Sequence, residues 1–143
     1  CPGVLDAEET VSLDMIKIAS HVAFSLRGLK TFTKEGKLID ALREVKKITS
    51  GWICVTDGEN GVFFLDDYKL VNIPVQKVDV KDTLGAGDVW HGAFALGLAE
   101  GKNEIEAVKF ANSAATIKCK SFGGRTGFPR RNEVDKFLKE KLS

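Results

Sequence analysis

Trp52 to Thr56 (WICVT) is a short run without a charge, and it follows closely on Gly36 to Thr49, where Leu38, Ile39, Leu42, Val45 and Ile48 recur along one helical face. Such a run has no polar face to offer water, so it predicts a strand covered on both sides. An amphipathic helix feeding a strand of that kind is the βα step of a parallel sheet. The chain is therefore expected to be α/β rather than all-helical or a sandwich of alternating strands.

The remaining elements follow the same logic. Gly3 to Ala7 reads as the end of a buried strand, Glu8 to Ala19 as a short helix and His21 to Ser25 as another strand. Asp57-Gly58-Glu59-Asn60-Gly61 is turn-rich. Val62 to Leu65 and Lys69 to Ile73, separated by Asp66 and Asp67, predict a hairpin at the sheet edge. Pro74, Val75, Val78 and Val80 carry an extended stretch toward Asp82. Val89 to Leu98 is a small-residue helix, and Asn103 to Lys118 a second one with Ile105, Val108, Ala111, Ala115 and Ile117 as its buried face. Gly123 to Pro129 breaks the pattern, and Arg131 to Leu142 resumes an amphipathic helix. No repeat or linker divides residues 1–143, which are expected to form a single α/β unit.

Composition narrows the function. Lys and Arg number 21 against 20 Asp and Glu, so no bulk charge draws the chain to nucleic acid or an anionic membrane. No apolar stretch approaches the roughly 18 residues of a membrane span. Cys1, Cys54 and Cys119 are odd in number and widely spaced, with only His21 and His91 to assist them, which argues against a disulfide framework or a zinc module. With no signal segment and no N-glycosylation acceptor, the reduced cytoplasm is the expected location. Glycine is enriched, at 14 of 143 residues, and the opening at Cys1 without a methionine leads us to expect a missing beginning.

The chemistry lies in Asp82 to Asp88 (DTLGAGD), between an extended segment and a helix. A backbone with so little side-chain cover brings consecutive N–H groups close to an anion, and the helix start adds partial positive charge; phosphate is the natural guest. Asp88 would repel phosphate, so its fitting task is to orient and deprotonate an attacking hydroxyl. Asp82 suits a cation. A Gly-x-Gly-Asp at such a junction also serves as a plain tight turn with Asp88 as helix cap. Two neighbours are decoys. Gly97 to Lys102 (GLAEGK) lacks the Walker A spacing and its Ser or Thr, and reads as a helix stop. Gly85-Ala86-Gly87 has Trp90 where a dinucleotide fingerprint needs its third glycine.

Asp82 to Asp88, continued as Val89-Trp90-His91-Gly92-Ala93-Phe94, closely resembles the second signature of the ribokinase-like carbohydrate kinases, the phosphofructokinase B family, whose pattern is D-T-x-G-A-G-D before a small-residue helix. Thr56 to Gly61 resembles the family's T-x-G-x-x-G turn, Ala107 to Ile117 the helix walling the adenine pocket, and Gly123 to Pro129 the loop closing over the nucleotide. The resemblance implies an ATP-dependent sugar kinase that transfers the γ-phosphate to a sugar hydroxyl, with Mg²⁺ and potassium or another monovalent cation as cofactors. Gly85, Ala86 and Gly87 would form the anion hole and Asp88 the base. Thr56, Gly58 and Gly61 would contact phosphates or ribose, Asn112 would border the adenine, and Gly123 would lie in the nucleotide loop. Asp82 would give a carboxylate oxygen to the monovalent cation, joined by backbone carbonyls near Lys118 and Gly123.

The implied fold is the carboxy-terminal half of a three-layer αβα sandwich, with a mostly parallel sheet and an antiparallel edge hairpin. Family members run to about twice this length, as a doubly wound domain of about 300 residues would. Their amino-terminal half carries the sugar-binding strands, the first glycine-rich signature and a β lid, none of which has a counterpart here. The isolated 143 residues are accordingly expected to lack useful kinase activity, and any homodimer to belong to the full-length protein. The Gly-Gly-Arg-x-Gly-x-Pro tail is most similar to a branch holding fructose, keto-sugar and sulfofructose kinases. A nucleoside or vitamin-precursor kinase of the same superfamily and a non-catalytic nucleotide-binding module are the alternatives.

Other polar residues read as structural. His91 is expected to pack or cap, His21 to sit beside a strand, Cys54 and Cys119 to fill core positions, and Arg130-Arg131 to start a solvated helix. Arg125 either reaches an anionic group or faces solvent.

Overall fold

The computed structural model describes residues 2–142; Cys1, where the missing beginning was inferred, lies outside them. They form two compact units, one ending at Pro74 and the other starting at Val75.

The first unit is built on β1 (Val4–Ala7), α1 (Leu13–Ile18), β2 (His21–Ser25), α2 (Leu26–Thr33), α3 (Leu38–Lys46), β3 (Trp52–Thr56), β4 (Val62–Asp66) and β5 (Lys69–Ile73). The sheet runs in the order β1-β2-β3-β4-β5. Strands β1, β2 and β3 pair parallel, with His21 opposite Trp52, and β3-β4-β5 pair antiparallel as the edge hairpin requires. The central strands are covered on both faces: Val22, Phe24, Cys54 and Val55 have no exposed surface. Leu42 and Val45, the stripe of α3, pack into the same core with Ile16 and Leu29. Each such apolar side chain contributes about 1.5–3 kcal/mol by leaving water.

Two elements depart from the sequence expectation. The first helix starts at Leu13 instead of Glu8, because the acidic residues ahead of it are engaged elsewhere. Glu8 accepts a hydrogen bond from Ser25 Oγ at 2.7 Å, and Glu9 pairs with Arg27 at 2.6 Å. Helix α2 was not anticipated at all. Gly28 and two threonines make Leu26–Thr33 a poor helix by propensity. It is held instead by Ser25, whose Oγ accepts from Gly28 N–H at 3.0 Å, and by complete burial of Leu29.

The second unit contains α4 (Ala86–Ala99), α5 (Glu104–Cys119) and α6 (Arg131–Leu142). Helix α4 stops in a Schellman turn: Gly101 adopts a positive φ, its N–H reaches Leu98 O, and Lys102 N–H reaches Gly97 O, each at 3.0 Å. The Walker-like segment is thus a helix terminus. Asn103 and Glu106 then start α5 with a reciprocal capping box. Helices α4 and α5 approach closely at Gly97, where a Cβ would sit 3.2 Å from that of Ala107. The buried face of α5 holds Val108 and Ala111, as expected, and extends to Phe110, Ala114 and Lys118, whereas Ile105 is 44% exposed. Val134 of α6 completes a cluster with Phe110 and Ala114. No helix among the described residues is long and apolar enough to cross a membrane.

Candidate functional site

In the first unit the Thr56 to Gly61 turn is locked by its own polar groups. Asp57 N–H donates to Gly61 O at 2.9 Å, Asn60 Nδ2 to Asp57 Oδ2 at 3.0 Å, and Asn72 Nδ2 to Asn60 O at 2.9 Å. Thr56 Oγ1 points back to Phe24 O at 3.4 Å. Gly61 has φ 89°, and a Cβ there would stand 2.3 Å from Ile73 O, so only glycine lets the hairpin close. Gly58, with φ 48°, presents open space.

In the second unit Gly85 is the N-cap of α4 in the left-handed region, φ 77°. Ala86 N–H is taken by Thr83 O at 3.1 Å, and the α4 ladder begins at Val89 N–H, which donates to Gly85 O at 3.0 Å. The N–H groups of Gly87 and Asp88 therefore face outward as donors at the positive end of a 14-residue helix. Asp88 is exposed, and its carboxylate makes no hydrogen bond or ion pair among the described residues. Beside it a groove of about 270 Å³ runs along Val89, Phe110, Phe128 and Val134.

Asp82 is bound from three sides. Its Oδ1 accepts from Leu84 N–H at 2.9 Å, its Oδ2 accepts from Gly123 N–H at 3.1 Å, and Oδ2 lies 3.5 Å from Lys118 Nζ. The Leu84 and Gly123 N–H groups, together with Lys118, hold this carboxyl below the ordinary carboxylate value against the opposing push of desolvation. Lys118 is fully buried, a feature sequence reasoning missed; the signal was a lysine inside the apolar run Ala114 to Cys119.

These neighbours do not fit a free monovalent cation at Asp82. Such an ion needs a shell of oxygens, whereas both carboxylate oxygens already face donors. A second positive charge about 4 Å from the ammonium would meet a repulsion of about 4 kcal/mol at an effective dielectric of 20. For a divalent ion, no group of three or more His, Cys, Asp or Glu side chains converges among the described residues.

Asn112 is buried, and its Oδ1 accepts from Trp90 Nε1 at 2.8 Å, joining α5 to α4. His91 Nδ1 lies 2.8 Å from Gly87 O and packs edge-on to Trp90, the structural part expected of it. His21 is buried against Ser20 Oγ at 2.8 Å. Cys54 is buried and Cys119 half-buried, and desolvation pushes both thiols up, Cys54 the more strongly. Arg125 faces solvent. Arg131 opens α6 and is exposed, as expected; it also pairs with Glu100 and Asp135, and its guanidinium lies 5.0 Å from the centre of the Phe110 ring.

The chain is similar to known proteins. The ribokinase of Lactococcus lactis is 41% identical over 100 residues, 70% of this chain and 33% of that protein. The structure of ribokinase from Thermotoga maritima superposes with a TM-score of 0.87 at 28% identity, covering 95% of this chain and 48% of that one. That of Arabidopsis thaliana ribokinase, complexed with ribose and ATP, gives 0.86 at 26% identity, covering 96% and 47%. The fold is thus the α/β fold of the ribokinases, and the chain spans about half the length of those structures. The pfkB family carbohydrate kinase profile matches residues 2–131, and the chain belongs to that family.

Proposed function

We propose that this chain is the nucleotide-binding and catalytic-base portion of an ATP-dependent sugar kinase. The observation carrying the reading is an exposed carboxylate, Asp88, without a partner among the described residues and on the same helical turn as the open N–H groups of Gly87 and Asp88. In the reaction proposed, the Asp88 carboxylate takes the proton of a sugar hydroxyl as its oxygen bonds to the γ-phosphorus. The bond from that phosphorus to the bridging oxygen breaks, and ADP leaves. Charge growing on the transferred group is met by the backbone of Gly85 and Gly87 at the helix start. Ala86 acts there by shape, since its N–H is committed to Thr83 O.

Thr56, Gly58 and Gly61 are proposed to flank the phosphates or ribose, Gly123 to lie in the loop over the nucleotide, and Asn112 to border the base while holding Trp90. Mg²⁺ would be carried by the nucleotide phosphates, as is usual where protein carboxylates are few. Asp82 remains the residue that meets a cation.

The test is sugar-dependent ADP release by the full-length protein supplied with ATP, Mg²⁺ and a panel of sugars that includes ribose. Turnover that needs the sugar supports the kinase. Tight ATP binding with no turnover on any acceptor favours the non-catalytic binding module.

A further inference from the structure

Lys118 has no exposed surface, yet its ammonium is placed, not stranded. The side chain of Asp82 is only 24% exposed, and its Oδ2 stands 3.5 Å from Lys118 Nζ. The same ammonium donates to the Asp82 carbonyl at 3.4 Å. The backbone enforces the meeting: Lys81 and Asp82 N–H both donate to Cys119 O, at 2.8 and 3.3 Å, which fixes the stretch before the glycine-rich loop against the end of α5. The stem is accommodated by Gly127, where a Cβ would lie 3.1 Å from Lys118 Cδ and 3.4 Å from Cε. A fully buried ammonium is tolerated only with such oxygen partners.

We propose that the Lys118 ammonium is the resident monovalent cation of the Asp82 loop, so that this protein neither requires nor binds a free potassium ion there. The carboxylate and carbonyl of Asp82 are the oxygens such an ion would use, and a covalently tethered charge already sits on both. Being tethered, it is not lost at low potassium. It sits against the Asp82 carboxylate just before the loop that presents the N–H groups of Gly87 and Asp88. That this helps an anion to approach rests on the kinase reading above; the occupancy of the site does not.

Thallium(I), a potassium surrogate, decides the question by NMR titration of the full-length protein in tetramethylammonium buffer at constant ionic strength. The wild type is expected to show no saturable, potassium-displaceable thallium binding, and the same melting temperature in potassium as in tetramethylammonium. Lys118→Met is expected to gain saturable thallium binding that potassium displaces, and to melt higher in potassium. Saturable binding in the wild type that Asp82→Asn abolishes would overturn the proposal. So would a folded Lys118→Met protein that stays indifferent to potassium. If Lys118→Met does not fold, the wild-type titration alone decides. Neither readout uses turnover, so failure of the phosphotransfer reading leaves this result standing, and the converse holds.

Discussion

The indole N–H of Trp90 donates to the carboxamide oxygen of Asn112 at 2.8 Å, a side-chain bond between α4 and α5 with both residues almost wholly buried. Trp90 also stacks on Phe94, ring centres 5.0 Å apart. Asn112→Ala leaves the indole donor without this acceptor in a dry environment and is expected to destabilise the protein by about 1–3 kcal/mol. Trp90→Phe removes the donor instead. In a double-mutant cycle by urea unfolding, the two losses are expected to be less than additive. Strict additivity would show that the bond contributes nothing.

Gly85 opens α4 with φ 77°, and a Cβ there would find only ordinary contact with Phe128, at 3.4 Å. The cost of Gly85→Ala is therefore backbone strain rather than a clash, about 1–2 kcal/mol. The same change at Gly87, where a Cβ meets nothing within 4 Å and the helix has begun, is expected to be neutral or slightly stabilising. Thermal melts of both variants check the contrast, and equal losses at the two positions would contradict it.

Arg131 beside Glu100 holds that carboxyl below its ordinary value, with Lys102 adding to the effect and desolvation opposing it. Because the folded value is depressed, the interaction's contribution is fully present above the unfolded carboxylate value, about 4.3. It disappears as the pH falls through the lower folded value. Arg131→Gln is expected to raise the Glu100 midpoint, as followed by NMR of the side-chain carboxyl. An unmoved midpoint would mean that the pair does not persist in solution.

How much of this was legible beforehand depends on how local each signal is. The Trp52 to Thr56 strand and the Leu42–Val45 stripe announce themselves within a few residues, and the sheet follows from them. Asp82 to Asp88 is a contiguous string and was found for the same reason. Helix α2 escaped because Gly28, Thr31 and Thr33 offset its better helix formers within a short span; a serine cap and the burial of Leu29 hold it. The Lys118 ammonium escaped because its partner lies 36 positions earlier and only the folded backbone brings them together. The pairing of Arg131 with Glu100 escaped for a similar reason, since Glu100 is 31 positions away.

The carboxylate of Asp88 is proposed to remove the proton of the attacking hydroxyl. Asp88→Asn in the full-length protein keeps the shape of the side chain and takes away its basicity, so steady-state turnover and ATP affinity measured together test the claim most directly. A fall in kcat of about 10²–10⁴-fold is expected, with ATP affinity retained. Unchanged turnover, or a loss of ATP affinity matching the loss of rate, would contradict it.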